Sequence, residues 1–107
     1  MLVRVKITKP ANQAFFEVPN GTIVNVDLDE YTSGVLAGEV YASWPEETLK
    51  AQAVAARTFA AAKSIQRADE PYDVDDTSSF QSFKADNFRN EYIYAAEATA
   101  GEILTYD

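Results

Sequence analysis

The chain contains no histidine and no cysteine. Without histidine, Ser-His-Asp and Cys-His catalysis are excluded, and without either residue so are zinc sites of the Cys/His type. Acid–base chemistry is left to carboxylates, tyrosines and lysines. The missing cysteines also mean that no disulfide staples the fold, so burial and polar contacts must hold it. Basic residues are scarce, with 9 Lys and Arg against 17 Asp and Glu, for a net charge of −8. Such a surface repels nucleic acid and anionic lipid unless cations cluster. The one basic group free of acids is Arg4, Lys6 and Lys9, alternating like one face of a strand, so no nucleic-acid partner is expected. Long apolar runs are absent too. The longest uncharged stretch, Val18 to Val26, is far short of the roughly 20 residues a membrane helix needs. Met1 to Lys9 alternates charged and apolar side chains, unlike a signal peptide. No membrane insertion by this chain is expected.

What is present suits one small domain of 107 residues with 47% hydrophobic content. "LVRVKI" alternates apolar and basic side chains, the period of a half-buried strand. "AFFEVPNGTIVNV" reads as a hairpin, two β-rich runs around Pro19-Asn20-Gly21. From Leu28 the period changes, with apolar positions at Leu28, Tyr31, Val35, Leu36 and Val40, which is helical spacing. A second helix starts at "SWPEE", where Ser43 and Glu46 fit a capping box and Pro45 is tolerated in the first turn. It runs to about Arg67, with seven alanines between Ala51 and Ala62 that permit close packing. "RADEPYDVDDTSSFQSFKADNF" reads as an acidic loop with one short strand. Its carboxylates lack EF-hand spacing, so a solvated loop rather than a calcium site is expected. A third helix is placed from Asn90 as N-cap to about Thr99, ended by Gly101, and "EILTYD" is read as a terminal strand. The expected class is α+β: N-terminal hairpin and strands, two consecutive helices, acidic loop, third helix, terminal strand. A last strand that stops at Asp107 reads as part of a larger domain, and its open edge would pair with a second copy as a homodimer.

One residue is out of place. Glu39 follows Val35, Leu36, Ala37 and Gly38, and on a helix it shares a face with Val35 and Leu36. Burying an ionised glutamate without partners costs several kcal/mol, which favours the protonated form. A neutral carboxylic acid is a proton donor for catalysis. The other reading is a helix-end residue turned to solvent, or paired with Arg57.

The string "VDLDEYTSGVLAGEVYASWPEETLKAQAVAARTFA" resembles the SpoIID/LytB family, that of stage II sporulation protein D and the amidase enhancer. Asp29, Tyr31, Gly34, Val35, Glu39, Trp44, Pro45, Glu47 and the run Leu49 to Thr58 match its pattern, with Phe59 in place of a usual Tyr. "YDVDDTSSFQSF" and "AAEATAGEILTY" resemble later family segments, so the likeness covers nearly all of Thr22 to Asp107. The resemblance implies one SpoIID-like domain over 1–107, a partial one, since the family domain normally continues beyond "ILTY". It implies a lytic transglycosylase that cleaves peptidoglycan between N-acetylmuramic acid and N-acetylglucosamine and leaves 1,6-anhydro ends. Glu39 occupies the position of the family's catalytic acid. The alternative is a non-catalytic cell-wall module that binds glycan or enhances a partner amidase; a structural domain of an envelope or phage-tail protein is a third reading.

Gln52, Arg57, Trp44 and Gln81 are the candidate substrate-binding residues. Arg57 would hold Glu39 or a substrate carboxylate, Gln52 an N-acetyl group, and Trp44 a sugar face; Tyr92 is a further cleft candidate. Against these, Arg57 also reads as a helix-surface or capping arginine, Gln52 as a residue satisfying backbone groups, and Trp44 as a core anchor. Some family members bind zinc where Ser79 and Phe80 stand here, so no metal or other cofactor is expected. The resemblance implies a cell-envelope or extracytoplasmic setting.

Overall fold

A computed structural model describes residues 1–86 and 89–104. Strand β1 (Leu2–Ile7) is followed by helix α1 (Pro10–Phe16), β2 (Thr22–Asp27), α2 (Leu28–Glu39), α3 (Glu46–Gln66), β3 (Val74–Asp75) and α4 (Asn90–Ala98). This is the α+β class expected. β1 is the middle strand of a three-stranded sheet ordered β2-β1-β3. It pairs antiparallel with β2, Val3 facing Val26 and Val5 facing Val24, and parallel with β3, Val5 facing Val74. The alternation of "LVRVKI" puts Val3, Val5 and Ile7 fully inside. They form one core cluster with Tyr31 and Val35 of α2, Ala56 and Ala60 of α3, and Phe83. A second cluster joins Leu36, Leu49, Ala53, Tyr92 and Ala95 of the three long helices. The small buried side chains Ala53, Ala56 and Ala60 let α3 lie close to its neighbours. No helix among the described residues is long and apolar enough to cross a membrane.

Five local expectations change. The first arm of the expected hairpin is helix α1. Pro10 opens it with its fixed φ, Glu17 ends it in the left-handed region at φ 56°, and Phe16 packs on the core. The hairpin partner of β2 is therefore β1, with α1 in the link. The Ser43–Glu46 capping box does not form: Pro45 is the N-cap of α3 and no side chain caps it, while Glu46 and Glu47 sit in the first turn where the helix dipole favours acids. The acidic loop is not fully solvated, because Asp73 and Asp76 are buried. Finally, 102–104 are not in a strand, and 105–107, the rest of the expected terminal strand, lie outside the described residues. α4 covers the expected stretch, but its N-cap is Arg89 rather than Asn90 and no side chain caps it; Gly101 lies in the left-handed region at φ +79° just beyond the helix.

Candidate functional site

The last turn of α2 and the middle of α3 form two walls of an open groove of about 310 Å³, and the segment 80–82 forms the third. Val35, Leu36 and Glu39 come from α2, Gln52, Ala55, Ala56 and Phe59 from α3, and Phe80 and Gln81 from that segment. Glu39 is the one carboxylate among these lining residues.

The segment acts as a strap across α2, and two glycines at helical spacing make room for it. A Cβ on Gly38 would collide with the Ser82 carbonyl, and one on Gly34 with the Phe83 ring. Backbone bonds Lys84 N–H to Gly34 O (3.0 Å) and Phe83 N–H to Asp76 O (3.2 Å) fix the strap's course. From below, Lys9 Nζ donates to Ser82 Oγ at 2.7 Å, and Asn12 donates to the Phe83 carbonyl while accepting from Ala85 N–H, each at 2.8 Å. Asp76 is the hub of this support. Its buried carboxylate accepts from the Thr8 hydroxyl, the Thr8 and Lys9 backbone N–H groups and the Asn12 amide. Burial alone would push this carboxyl up, but the four hydrogen bonds together outweigh it and hold it below the usual carboxylate range.

This geometry fixes Glu39. Its Oε1 accepts the Ser82 backbone N–H at 2.8 Å, and no described residue bonds Oε2. The apolar enclosure expected for it is absent: Val35 and Leu36 on its helix face are buried, but α2 ends at Glu39 and its side chain is exposed at the groove. Nor does it pair with Arg57. Beneath the groove, Tyr31 stacks on Phe83 (5.2 Å, 18°) and donates its hydroxyl to Gln81 Oε1 at 3.2 Å. Burial, reinforced by the nearby Asp75 and Glu39, pushes the Tyr31 phenol well above its ordinary range, so it remains a donor. That bond turns the Gln81 carbonyl inward and leaves its amide N–H groups for the groove.

Of the expected binding residues, Gln52 and Gln81 line the groove with Glu39, and Trp44 and Arg57 do not. Trp44 lies partly exposed against Tyr41, edge to face at 6.5 Å. Arg57 is fully buried. Its Nε bonds Asp29 at 2.9 Å, Nη1 the Thr99 hydroxyl and Glu102 carbonyl, and Nη2 the Ala96 carbonyl at 2.8 Å. The guanidinium thus binds the C-terminal end of α4 to α2 and α3, satisfying a carbonyl of that helix's last turn. Tyr92 is buried too, and its hydroxyl holds the Val40 carbonyl at 2.7 Å, just after Glu39. Sequence reasoning missed the groove walls Phe59 and Phe80, the strap residue Ser82 and the support role of Asp76. The signal available was Gly34 and Gly38 four apart on one helix face, which marks a close crossing.

A larger hollow of about 620 Å³ borders Phe16, Val26, Glu30, Gly34, Phe83 and Ile93. Size alone does not make it the site: it holds none of Glu39, Gln52 and Gln81.

The "Stage II sporulation protein" family pattern, SpoIID, matches residues 19–106. An uncharacterized protein of Brachyspira hyodysenteriae is 39% identical over 78% of this chain and 24% of its own length. Stage II sporulation protein D of Bacillus subtilis is 33% identical over 92% of this chain and 33% of its own. The amidase enhancer of the same organism is 38% identical over 69% and 10% respectively. This chain thus spans a third or less of these relatives. On the extent of these matches, the chain belongs to the SpoIID family.

Proposed function

We propose that this chain carries a cell-wall glycan site in the α2–α3 groove, and that Glu39 there performs lytic transglycosylation of peptidoglycan. The observation that supports this most is the placement of Glu39: an exposed carboxylate on an open groove, anchored through one oxygen and free at the other. Glycosidases that use water or a covalent intermediate generally need two carboxylates across the scissile bond. The groove lining offers one, which suits an intramolecular reaction.

In that reaction protonated Glu39 donates to the glycosidic oxygen as the bond from muramic C1 breaks. The C6 hydroxyl of the same sugar attacks C1 and gives its proton to Glu39. A 1,6-anhydro end and a free 4-hydroxyl result, no water is consumed, and the acid is regenerated. The Ser82 N–H holds the carboxyl in place through both proton transfers. Gln81, turned by Tyr31, and Gln52 across the groove present amides that suit the N-acetyl groups of the sugars. A bound strand would displace water from the groove and strengthen each polar contact inside it. The same reading places the protein in the cell envelope, with glycan strands and a cell-wall amidase as its partners.

A second reading is supported by the solvent-open side chain of Glu39 and by the relative named amidase enhancer: a non-catalytic module that binds glycan or assists an amidase. Mass analysis of glycan products separates the two. Incubation with peptide-free and intact peptidoglycan is expected to yield fragments lighter by one water than hydrolysis products, absent with Glu39→Gln. No cleavage of either substrate by folded protein would sink the enzyme reading, and unchanged glycan binding by Glu39→Gln would then favour the module.

A further inference from the structure

Basic side chains lie against Phe59 and Phe80, two rings that line the groove. On α3, Gln52, Ala55, Ala56 and Phe59 line it, and the same helix face continues through Lys63 to Arg67, which caps the helix. Lys63 Nζ lies over the Phe59 ring (5.5 Å) and the Phe80 ring (6.0 Å). Arg67 lies over Phe80 (5.3 Å) and Tyr72 (4.9 Å), and Lys6 lies over Tyr72 as well (5.3 Å). Three of the chain's nine basic residues thus gather around aromatic rings where the groove runs out.

The chain has 17 acids, yet among the described residues no ion pair includes Lys6, Lys63 or Arg67. The Lys63 ammonium makes no hydrogen bond among them, and the carbonyl of the same residue accepts the Arg67 N–H at 2.9 Å. Arg67 donates through Nε to the Tyr72 carbonyl at 3.1 Å, which fixes the guanidinium plane and leaves Nη1 and Nη2, the pair that takes a carboxylate side by side. The rings hold the cations in place without neutralising them. Cations near the end of a helix also complement its dipole, but that does not account for Lys6, which belongs to β1.

We propose that Lys63, Arg67 and Lys6 form an anion subsite at the end of the groove, for a carboxylate carried by the bound glycan strand. On a strand without peptides that group is the lactyl carboxylate of a muramoyl residue. When a peptide is attached, the lactyl carboxyl is an amide and the carboxylates belong to the peptide. The subsite rests on the glycan reading above. Gln52 and Lys63 are about 16 Å apart along α3, so the carboxylate read is that of a sugar some way along the strand from the bond at Glu39. The subsite would set the register of the strand.

Binding measured on the full chain with Glu39→Gln, to prevent turnover, tests this. The probes are peptide-free glycan strands, the same strands with carboxyls converted to neutral amides, peptide-bearing strands, and neutral N-acetylglucosamine oligomers. Strands that carry carboxylates are expected to bind about tenfold more tightly than the neutral probes at low salt, an advantage that salt weakens. Lys63→Ala with Arg67→Ala should abolish that advantage and leave the neutral oligomers unaffected; Lys63→Ala alone, which breaks no hydrogen bond, should remove part of it, and Lys63→Arg should restore it. Equal affinity for neutral and carboxylate strands, or an advantage that survives the substitutions, overturns the subsite while leaving the groove intact. An advantage lost on substitution supports the subsite, and the strands that show it, peptide-free or peptide-bearing, identify the carboxylate as lactyl or peptide. Failure of every glycan to bind removes the glycan reading, and the subsite with it.

Discussion

Replacing Gly38 by alanine sets two effects of known size against each other. Glycine to alanine inside a helix gains up to about 1 kcal/mol from helix propensity. The gain is smaller here because Gly38 is next to the last residue of α2. Against it stands the strap. The new Cβ would meet the carbonyl oxygen and carbon of Ser82, with Ser82 Oγ at 3.0 Å. These are mostly backbone atoms, pinned on one side by the Phe83 N–H bond to Asp76 and the Lys84 N–H bond to Gly34, so the strap cannot simply swing aside. Overpacking of this kind costs about 1–3 kcal/mol. The sum is a net loss of about 1–2 kcal/mol, or a fall in Tm of roughly 5–10 °C for a domain of this size. Moving Ser82 also draws its N–H away from Glu39, so product formation should fall further than the lost stability explains at temperatures where the variant is folded. Circular-dichroism melts beside the product assay measure both. A Gly38→Ala protein that melts higher than the parent and keeps its activity would refute the argument that the strap presses on α2 and holds the carboxylate.

Two further perturbations probe the scaffold. Arg57→Lys should lose about 3 kcal/mol, because one ammonium cannot reach Asp29, Thr99, Ala96 and Glu102 together and leaves buried acceptors unpaired; urea unfolding reads it, and a loss below 1 kcal/mol contradicts the buried network. Asp76 has a folded-state value depressed below 3.8, so its stabilisation is fully present above that pH and disappears as the pH falls through the folded value. Asp76→Asn should therefore be less stable at pH 7 and should lose less on going to pH 3; parallel stability curves for the two proteins would show that Asp76 is not the group that titrates.

The long helices and the first strand were readable because periodicity over many residues leaves little choice. The α2 and α3 stripes and the Val3, Val5, Ile7 alternation place their own faces in the core. α1 was not readable, because "AFF" flanked by polar residues suits a strand as well as one helical turn or two, and packing of Phe16 decides between them. The burial of Asp76 was hidden for a different reason. Its partners Thr8, Lys9 and Asn12 lie 64 to 68 residues away, and a run of acids carries no trace of distant donors. Arg57 could be assigned to a helix but not to the carbonyls at the end of α4. Glu39 drew attention through the apolar company of Val35 and Leu36, and through the family resemblance. Its actual setting depends on Gly38, which admits the strap and so gives the carboxylate a backbone donor instead of an apolar cover.

The central position of β1 in the sheet has a consequence for how the chain is made. β1 leaves a ribosome well before one of its sheet neighbours, residues 74–75, and Arg4 meets Asp73 across 69 residues of chain. Until that far segment emerges, one edge of the strand is unpaired, and the Thr8, Lys9 and Asn12 donors wait for Asp76. Contacts of such sequence separation slow folding and leave a nascent sheet edge exposed to other chains. The first eighteen residues precede the family match at 19–106, but they supply the sheet's middle strand and the donors under the strap. A piece cut to the matched segment would lose them and should fail to fold cooperatively, so the cooperative unit extends beyond the stretch by which the family is recognised.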